Sequence, residues 1–128
     1  MVNKEVYALG IGHNTPVFLD LAIACNYRIV GLYHYNSEKT GGEDHGYKVL
    51  GSFDDLFAIG DLRGKEFLLT MGDNKIRTEL SDKIIKQGGK VPSMIHPTSV
   101  ISNSATISDV GVYISPFTYI QADSSVGS

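Results

Sequence analysis

Two short segments of this 128-residue chain carry the residue types of a phosphate-binding loop. Gly10-Ile11-Gly12-His13-Asn14 stands before a helix opened by Thr15-Pro16. Its glycines let the backbone approach a phosphate, and the helix that follows offers N–H groups and the positive end of its dipole. Gly72-Asp73-Asn74 repeats the arrangement, with Asp73 or Asn74 placed to cap a helix and Arg77 one turn inside it, in reach of a phosphate. Between them, His34-Tyr35 brings a ring nitrogen and an aromatic face to the place where a nucleoside would be read. The expected binding set is therefore Gly10, Gly12, His13, Asn14, His34, Tyr35, Gly72, Asp73, Asn74 and Arg77. Each has a plainer reading too: glycines serve bare turns, His34 and Tyr35 serve loops, and Arg77 serves a solvated helix face.

Other chemistries fit less well. His13, His34, His45 and His96 lack the close spacing of a metal-ligand pair. The single Cys25 excludes an internal disulfide and reads as a small buried hydrophobe. A nicotinamide cofactor is disfavoured because Thr15 holds the third-glycine slot of G-x-G-x-x-G. About twenty residues further on, Tyr33 and His34 stand where a ribose-binding acid is needed. A net charge of −3 gives no footprint for nucleic acid, and Asp20 breaks the longest apolar stretch, so no membrane span or signal peptide is read and a cytoplasmic location is expected.

The elements that must position these residues alternate. Strands are expected over 5–9, 27–33, 66–71 and 90–95, with helices over 15–26 and 74–87. A polar loop is expected over 34–48. Ser52 and Asp55 have capping-box spacing for a short helix to about Ile59. Such alternation implies right-handed βαβ crossovers and a parallel sheet.

From Ile95 onward the period changes. Ile95, Ile101, Ile107, Ile114, Ile120 and Val126 recur about every sixth position, and Ser99, Ala105, Gly111, Thr118 and Ser124 follow the first five by four. One slot fills a core; the other must lie under a corner. Gly111 falls in the one seven-residue step and can absorb the extra residue. The expected fold class is α/β: a small Rossmann-like parallel sheet domain over 1–94, then the first coils of a left-handed parallel β-helix over 95–128.

The ordered set resembles the sugar O-acyltransferase family of the sialic-acid O-acetyltransferase type, which includes acetyltransferases of bacillosamine-type UDP-amino-sugars. The residues that carry the resemblance are Gly12-His13 in the first loop, Lys48-Val49-Leu50-Gly51-Ser52, Met71-Gly72-Asp73-Asn74 with Arg77, and Ile95-His96-Pro97 before the hexads. The resemblance implies an N-terminal domain for a nucleotide-linked amino sugar or sialic-acid-type sugar in surface polysaccharide or glycan biosynthesis. It also implies acetyl-CoA bound by the β-helix between neighbouring subunits, a homotrimer, and transfer of acetyl to a sugar amine or hydroxyl.

Two departures bear on it. The family's first loop is richer in glycine, and its aspartate pair after the second strand is replaced here by His34-Tyr35. The family's general-base histidine belongs about one coil past Ser128, and no histidine follows His96, which matches the family's junction His-Pro. The chain is thus expected to be a substrate-binding part, truncated within the β-helix, without the acetyl-CoA site and inactive alone. The alternative is a non-catalytic nucleotide-binding or oligomerisation module.

Overall fold

The computed structural model describes residues 4–12 and 14–127. Its first part runs β1 (Lys4–Leu9), α1 (Thr15–Ala24), β2 (Tyr27–His34), a 3-10 turn (Ser37–Lys39), β3 (Glu43–Asp44), β4 (Tyr47–Ser52), α2 (Phe53–Phe57), β5 (Phe67–Leu69) and α3 (Asn74–Lys86). These form one five-stranded sheet in the order β3-β4-β2-β1-β5. All neighbours are parallel except the β3–β4 pair.

Residues alternate between the two faces of β1, and that places two cores. Val6 and Ala8 join Leu19, Ala22, Ile29 and Leu32 under α1. Leu9 joins Leu56, Phe67, Leu80 and Ile84 under α2 and α3. A sheet buried on both faces needs apolar side chains on both sides of its central strands, and β1 supplies them. From β1 the chain moves outward through β2 to β4, then returns on the other side of β1 to β5. This reversal opens a crevice beyond the carboxyl ends of β1 and β5, the place where doubly wound sheets bind ligands.

The strand expected over 66–71 shortens to Phe67–Leu69 and the helix expected to about Ile59 ends at Phe57; other departures change the fold more. The loop expected over 34–48 contains β3 and the start of β4, so the sheet has an edge that the sequence pattern did not announce. The helix expected to reach Asn26 ends at Ala24, because Asn26 turns left-handed with φ +68°. The strand expected over 90–95 is split: Lys90 bridges Glu66, Pro92 bridges Val110, and only Met94–Ile95 forms a strand, β6. Pro92 has no N–H with which to continue a ladder. The capping box at Ser52 forms as expected, with the Asp55 N–H donating to Ser52 Oγ at 3.1 Å and the Ser52 N–H donating to Asp55 Oδ2 at 2.9 Å.

The hexads form β-helix strands: β6, then β7 (Val100–Ile101), β8 (Thr106–Ile107), β9 (Tyr113–Ile114), β10 (Tyr119–Ile120) and β11 (Ser125–Val126). They pair in parallel as β6–β9, β7–β10 and β8–β11. In register, Ile95 faces Ile114, Ile101 faces Ile120, and Ile107 faces Val126, so two layers of aliphatic side chains stack. Gly111, at φ +66°, takes up the seven-residue step and donates its N–H to Val91 O at 2.9 Å.

Burial in this stack is partial. Ile114 is 5% exposed, whereas Ile95 is 36% exposed and the other four are half-buried, because each layer has only one neighbouring layer. The corners are held by hydroxyls rather than by smallness alone. Ser93 Oγ accepts from the Val112 N–H and donates to Ser108 O, both at 2.8 Å; Ser99 Oγ accepts from the Thr118 N–H at 3.2 Å and donates to Ser115 O at 2.6 Å.

Side chains from the coils also enter the sheet domain. Met94 is buried in the core under α1. Tyr113 meets Phe18 edge-on, with centroids 5.5 Å apart, and its hydroxyl accepts from the Leu69 N–H at 3.0 Å. No helix among the described residues is long and apolar enough to cross a membrane.

Candidate functional site

The crevice floor is built by the first loop. Gly10 has φ +98°, a region open to glycine, and a Cβ there would lie 2.9 Å from Thr70 Oγ1. Its N–H donates to Tyr33 O at 2.8 Å. Thr15, which opens α1, is a buried post. Its Oγ1 accepts from the Gly12 N–H at 3.0 Å and lies 3.1 Å from Thr70 Oγ1, while Thr70 Oγ1 reaches Leu9 O and Gly10 O, both at 2.9 Å.

The start of α1 offers fewer donors than the sequence suggested. The Thr15 N–H goes to Gly12 O at 3.2 Å, Pro16 has none, and the Val17 and Phe18 N–H groups point at Asn14 O. Asn14 occupies the N-cap without a side-chain cap hydrogen bond and lines the crevice. His13, one of the expected binding residues, lies outside the described residues.

The crevice itself has a volume of about 380 Å³. Gly10, Gly12 and Gly72 line it with backbone, Asn14 and Thr70 with polar groups, and Ile11, Tyr35, Phe53, Met71 and Ile76 with apolar surface. A Cβ at Gly12 or Gly72 would meet nothing within 4 Å, so protein packing does not require glycine at either position. Among the described residues no charged side chain lines the crevice. Such a wall suits the flat face of a base or sugar better than a highly charged group.

His34 and Tyr35 divide their work. His34 is buried and accepts the Asn36 N–H at Nδ1, 3.0 Å away. Tyr35 is 73% exposed, and its ring rests against the His34 ring with centroids 4.3 Å apart. The histidine braces; the tyrosine faces the crevice.

The second expected segment separates as well. Gly72 lines the crevice, and Asp73 caps α3 by accepting the Ile76 N–H at 3.1 Å. Asn74 and Arg77 line a different cavity, of about 460 Å³, between α3 and the β-helix. Arg77 Nη2 donates to Gly111 O at 2.8 Å, and the guanidinium lies 5.2 Å from the centre of the Tyr113 ring. Burial pushes the Tyr113 phenol above the usual tyrosine range, partly offset by the Leu69 N–H and the Arg77 charge.

The structure thus gathers Gly10, Gly12, Asn14, Tyr35 and Gly72 around one crevice, while His34 packs against Tyr35 and Asp73 caps α3 without lining it. Asn74 and Arg77 go elsewhere. Sequence reasoning missed Thr70 and the apolar wall of Phe53, Met71 and Ile76. Thr70-Met71 directly after a strand that ends at the switch point was the available signal.

Residues 4–84 match the family described as PglD N-terminal domain. Among solved structures, the chain matches PerB from Caulobacter crescentus in complex with CoA and GDP-perosamine, at 24% identity and TM-score 0.79, over 96% of this chain and 56% of that one. A mutant of perosamine N-acetyltransferase from the same organism, also with CoA and GDP-perosamine, matches at 25% identity and TM-score 0.77, over 94% and 56%. The acetyltransferase domain of PglB from Neisseria gonorrhoeae, in complex with acetyl coenzyme A, matches at 26% identity and TM-score 0.78, over 98% and 60%. The chain spans 56% to 60% of the length of these structures.

Proposed function

Because the chain belongs to the PglD N-terminal domain family, we propose that it is the nucleotide-sugar-binding part of an acetyl-CoA-dependent sugar acetyltransferase. In this reading residues 1–94 hold a nucleotide-linked amino sugar or sialic-acid-type sugar, and 95–128 begin the hexapeptide-repeat β-helix. The observation that carries it is the crevice at the β1–β5 switch point, floored by glycine backbone and walled by Tyr35, Phe53, Met71 and Ile76. The relatives add support: the Caulobacter structure holds CoA with GDP-perosamine, and the Neisseria structure holds acetyl coenzyme A.

The expected acetyl-CoA site lies along a fuller β-helix, shared between neighbouring subunits of a homotrimer. Acetyl-CoA would supply the thioester carbonyl, and the sugar amine or hydroxyl that attacks it must lose a proton. His96 is a poor base for this step: its Nδ1 accepts the Thr98 N–H at 3.2 Å and lies 2.8 Å from Thr98 Oγ1, which fits a structural role.

Calorimetry with UDP-, CDP-, GDP- and CMP-linked sugars tests the reading. Binding of at least one is expected, and failure of all of them would sink it.

A further inference from the structure

The end of the sheet opposite the crevice is basic. Lys4 opens β1, Lys65 stands just before β5, Lys83 and Lys86 fall in the last turn of α3, and Lys90 follows that helix. Backbone hydrogen bonds draw these segments together: the Lys90 N–H donates to Lys65 O at 3.0 Å, and the Leu62 N–H donates to Gln87 O at 2.9 Å. Lys4 joins them through Tyr27. Its ammonium lies 6.0 Å from the centre of the Tyr27 ring, and the Tyr27 hydroxyl donates to Glu66 Oε1 at 3.4 Å.

The carboxylates at this end are already committed. Glu5 pairs with Arg28, Asp61 pairs with Arg63, and Glu66 takes the Tyr27 hydroxyl. Glu79 and Asp82, one turn before Lys83 and Lys86 on α3, make no ion pair with them. Among the described residues none of these lysines is ion-paired, and all but the half-buried Lys65 are exposed. The net charge of −3 is thus unevenly spread. The negative end of the α3 dipole accounts for Lys83 and Lys86, but Lys4, Lys65 and Lys90 stand outside any helix.

The residue types select the partner. Protein interfaces favour arginine and open aromatic faces and are poor in lysine. Nucleic acid asks for arginine forks and for rings on which bases can stack. Here the unpaired cations are all lysine, and the nearby rings are covered: the Lys83 ammonium lies 5.3 Å from the centre of Phe57, and that of Lys65 lies 5.5 Å from the centre of Tyr7. The apolar side chain left open beside them is Ile59, at 50% exposure, just past the end of α2. Compact point charges around an aliphatic side chain suit an anionic lipid surface, where each lysine near the headgroups adds attraction.

We propose that this end of the sheet docks on an anionic membrane surface, with Lys4, Lys65, Lys83, Lys86 and Lys90 toward the phosphodiester headgroups and Ile59 at the interface. The crevice beyond the carboxyl ends of β1 and β5 then faces away from the lipid. The docking goes beyond the nucleotide-sugar reading and does not depend on it.

The test is co-sedimentation of the whole chain with vesicles of phosphatidylcholine alone, and with vesicles of equal parts phosphatidylcholine and phosphatidylglycerol. Binding to the anionic vesicles only is expected, and it should fade as salt is raised. Lys86→Gln and Lys90→Gln should each weaken it by roughly fivefold. Neither side chain holds an ion pair, so thermal unfolding of both variants should match the parent chain. Lys39→Gln and Lys48→Gln, in the 3-10 turn and in β4, should bind the vesicles as the parent does. Absence of binding to either vesicle, equal binding to both, or equal losses in the Lys39→Gln and Lys48→Gln chains would overturn the proposal. Tighter binding to a DNA duplex than to the anionic vesicles would overturn it too, by marking the patch as a nucleic-acid surface.

Discussion

The hydroxyl oxygens of Thr15 and Thr70 lie 3.1 Å apart in the interior, and through them the first loop and the end of β5 are tied into one unit. The path runs from the Gly12 N–H to Thr15 Oγ1, on to Thr70 Oγ1, and to the carbonyls of Leu9 and Gly10. Replacing Thr15 by Val keeps the volume but leaves the Gly12 N–H without its acceptor. Urea denaturation should show a loss of about 1 to 3 kcal/mol. Calorimetry should show weaker nucleotide-sugar binding, because the crevice floor is no longer held. Unchanged stability would mean that the threonine pair is incidental.

Gly10 and Gly12 should respond in opposite ways to alanine. At Gly10 the backbone is left-handed and the added methyl would crowd Thr70 Oγ1, so Gly10→Ala should destabilise by about 1 to 3 kcal/mol. At Gly12 the added methyl meets open space, so stability should stay within about 0.5 kcal/mol while ligand affinity falls. A Gly12→Ala chain that binds a nucleotide sugar normally would remove Gly12 from the site.

Alkaline pH should weaken the fold through Tyr27. Burial, reinforced by the nearby Glu66 carboxylate, pushes this phenol up to about 12. In the unfolded chain it ionises near about 10. A folded-state value raised above the unfolded one gives stability that is fully present below about pH 10 and is lost as pH climbs toward about 12. Chemical denaturation across that window should show the decline, and Tyr27→Phe should flatten it. Identical pH profiles for the two chains would refute this origin.

Tyr113→Phe tests the joint between sheet and coils. The Leu69 N–H would lose its acceptor, and the chain should lose about 1 to 3 kcal/mol while keeping the ring contacts with Phe18 and Arg77. Retained stability, read by thermal unfolding, would show that the ring alone holds the joint.

Features written in short-range pattern were legible in the sequence. The capping box at Ser52, the strand leading into Gly10 and the Ile95–Ile114 layering each follow from spacing that the chain displays locally. What stayed hidden depends on distant partners. Thr15 has the look of a helix cap because the residues that make it a post, above all Thr70, come much later. Arg77 has the look of a phosphate ligand because its acceptor, the Gly111 carbonyl, belongs to the β-helix. The strand Tyr47–Ser52 was obscured because it follows a polar, glycine-containing stretch and ends in glycine and serine, residues with little strand preference.

Tyr113 stands in the coils and touches three elements of the sheet domain with different atoms: its hydroxyl meets the backbone of β5, and its ring meets Phe18 of α1 and the Arg77 guanidinium of α3. A single side chain therefore acts as a gauge block between the crevice and the coils. Any pivot of the coils about the sheet domain must break all three contacts together, so the spacing between the two is set by the dimensions of one tyrosine.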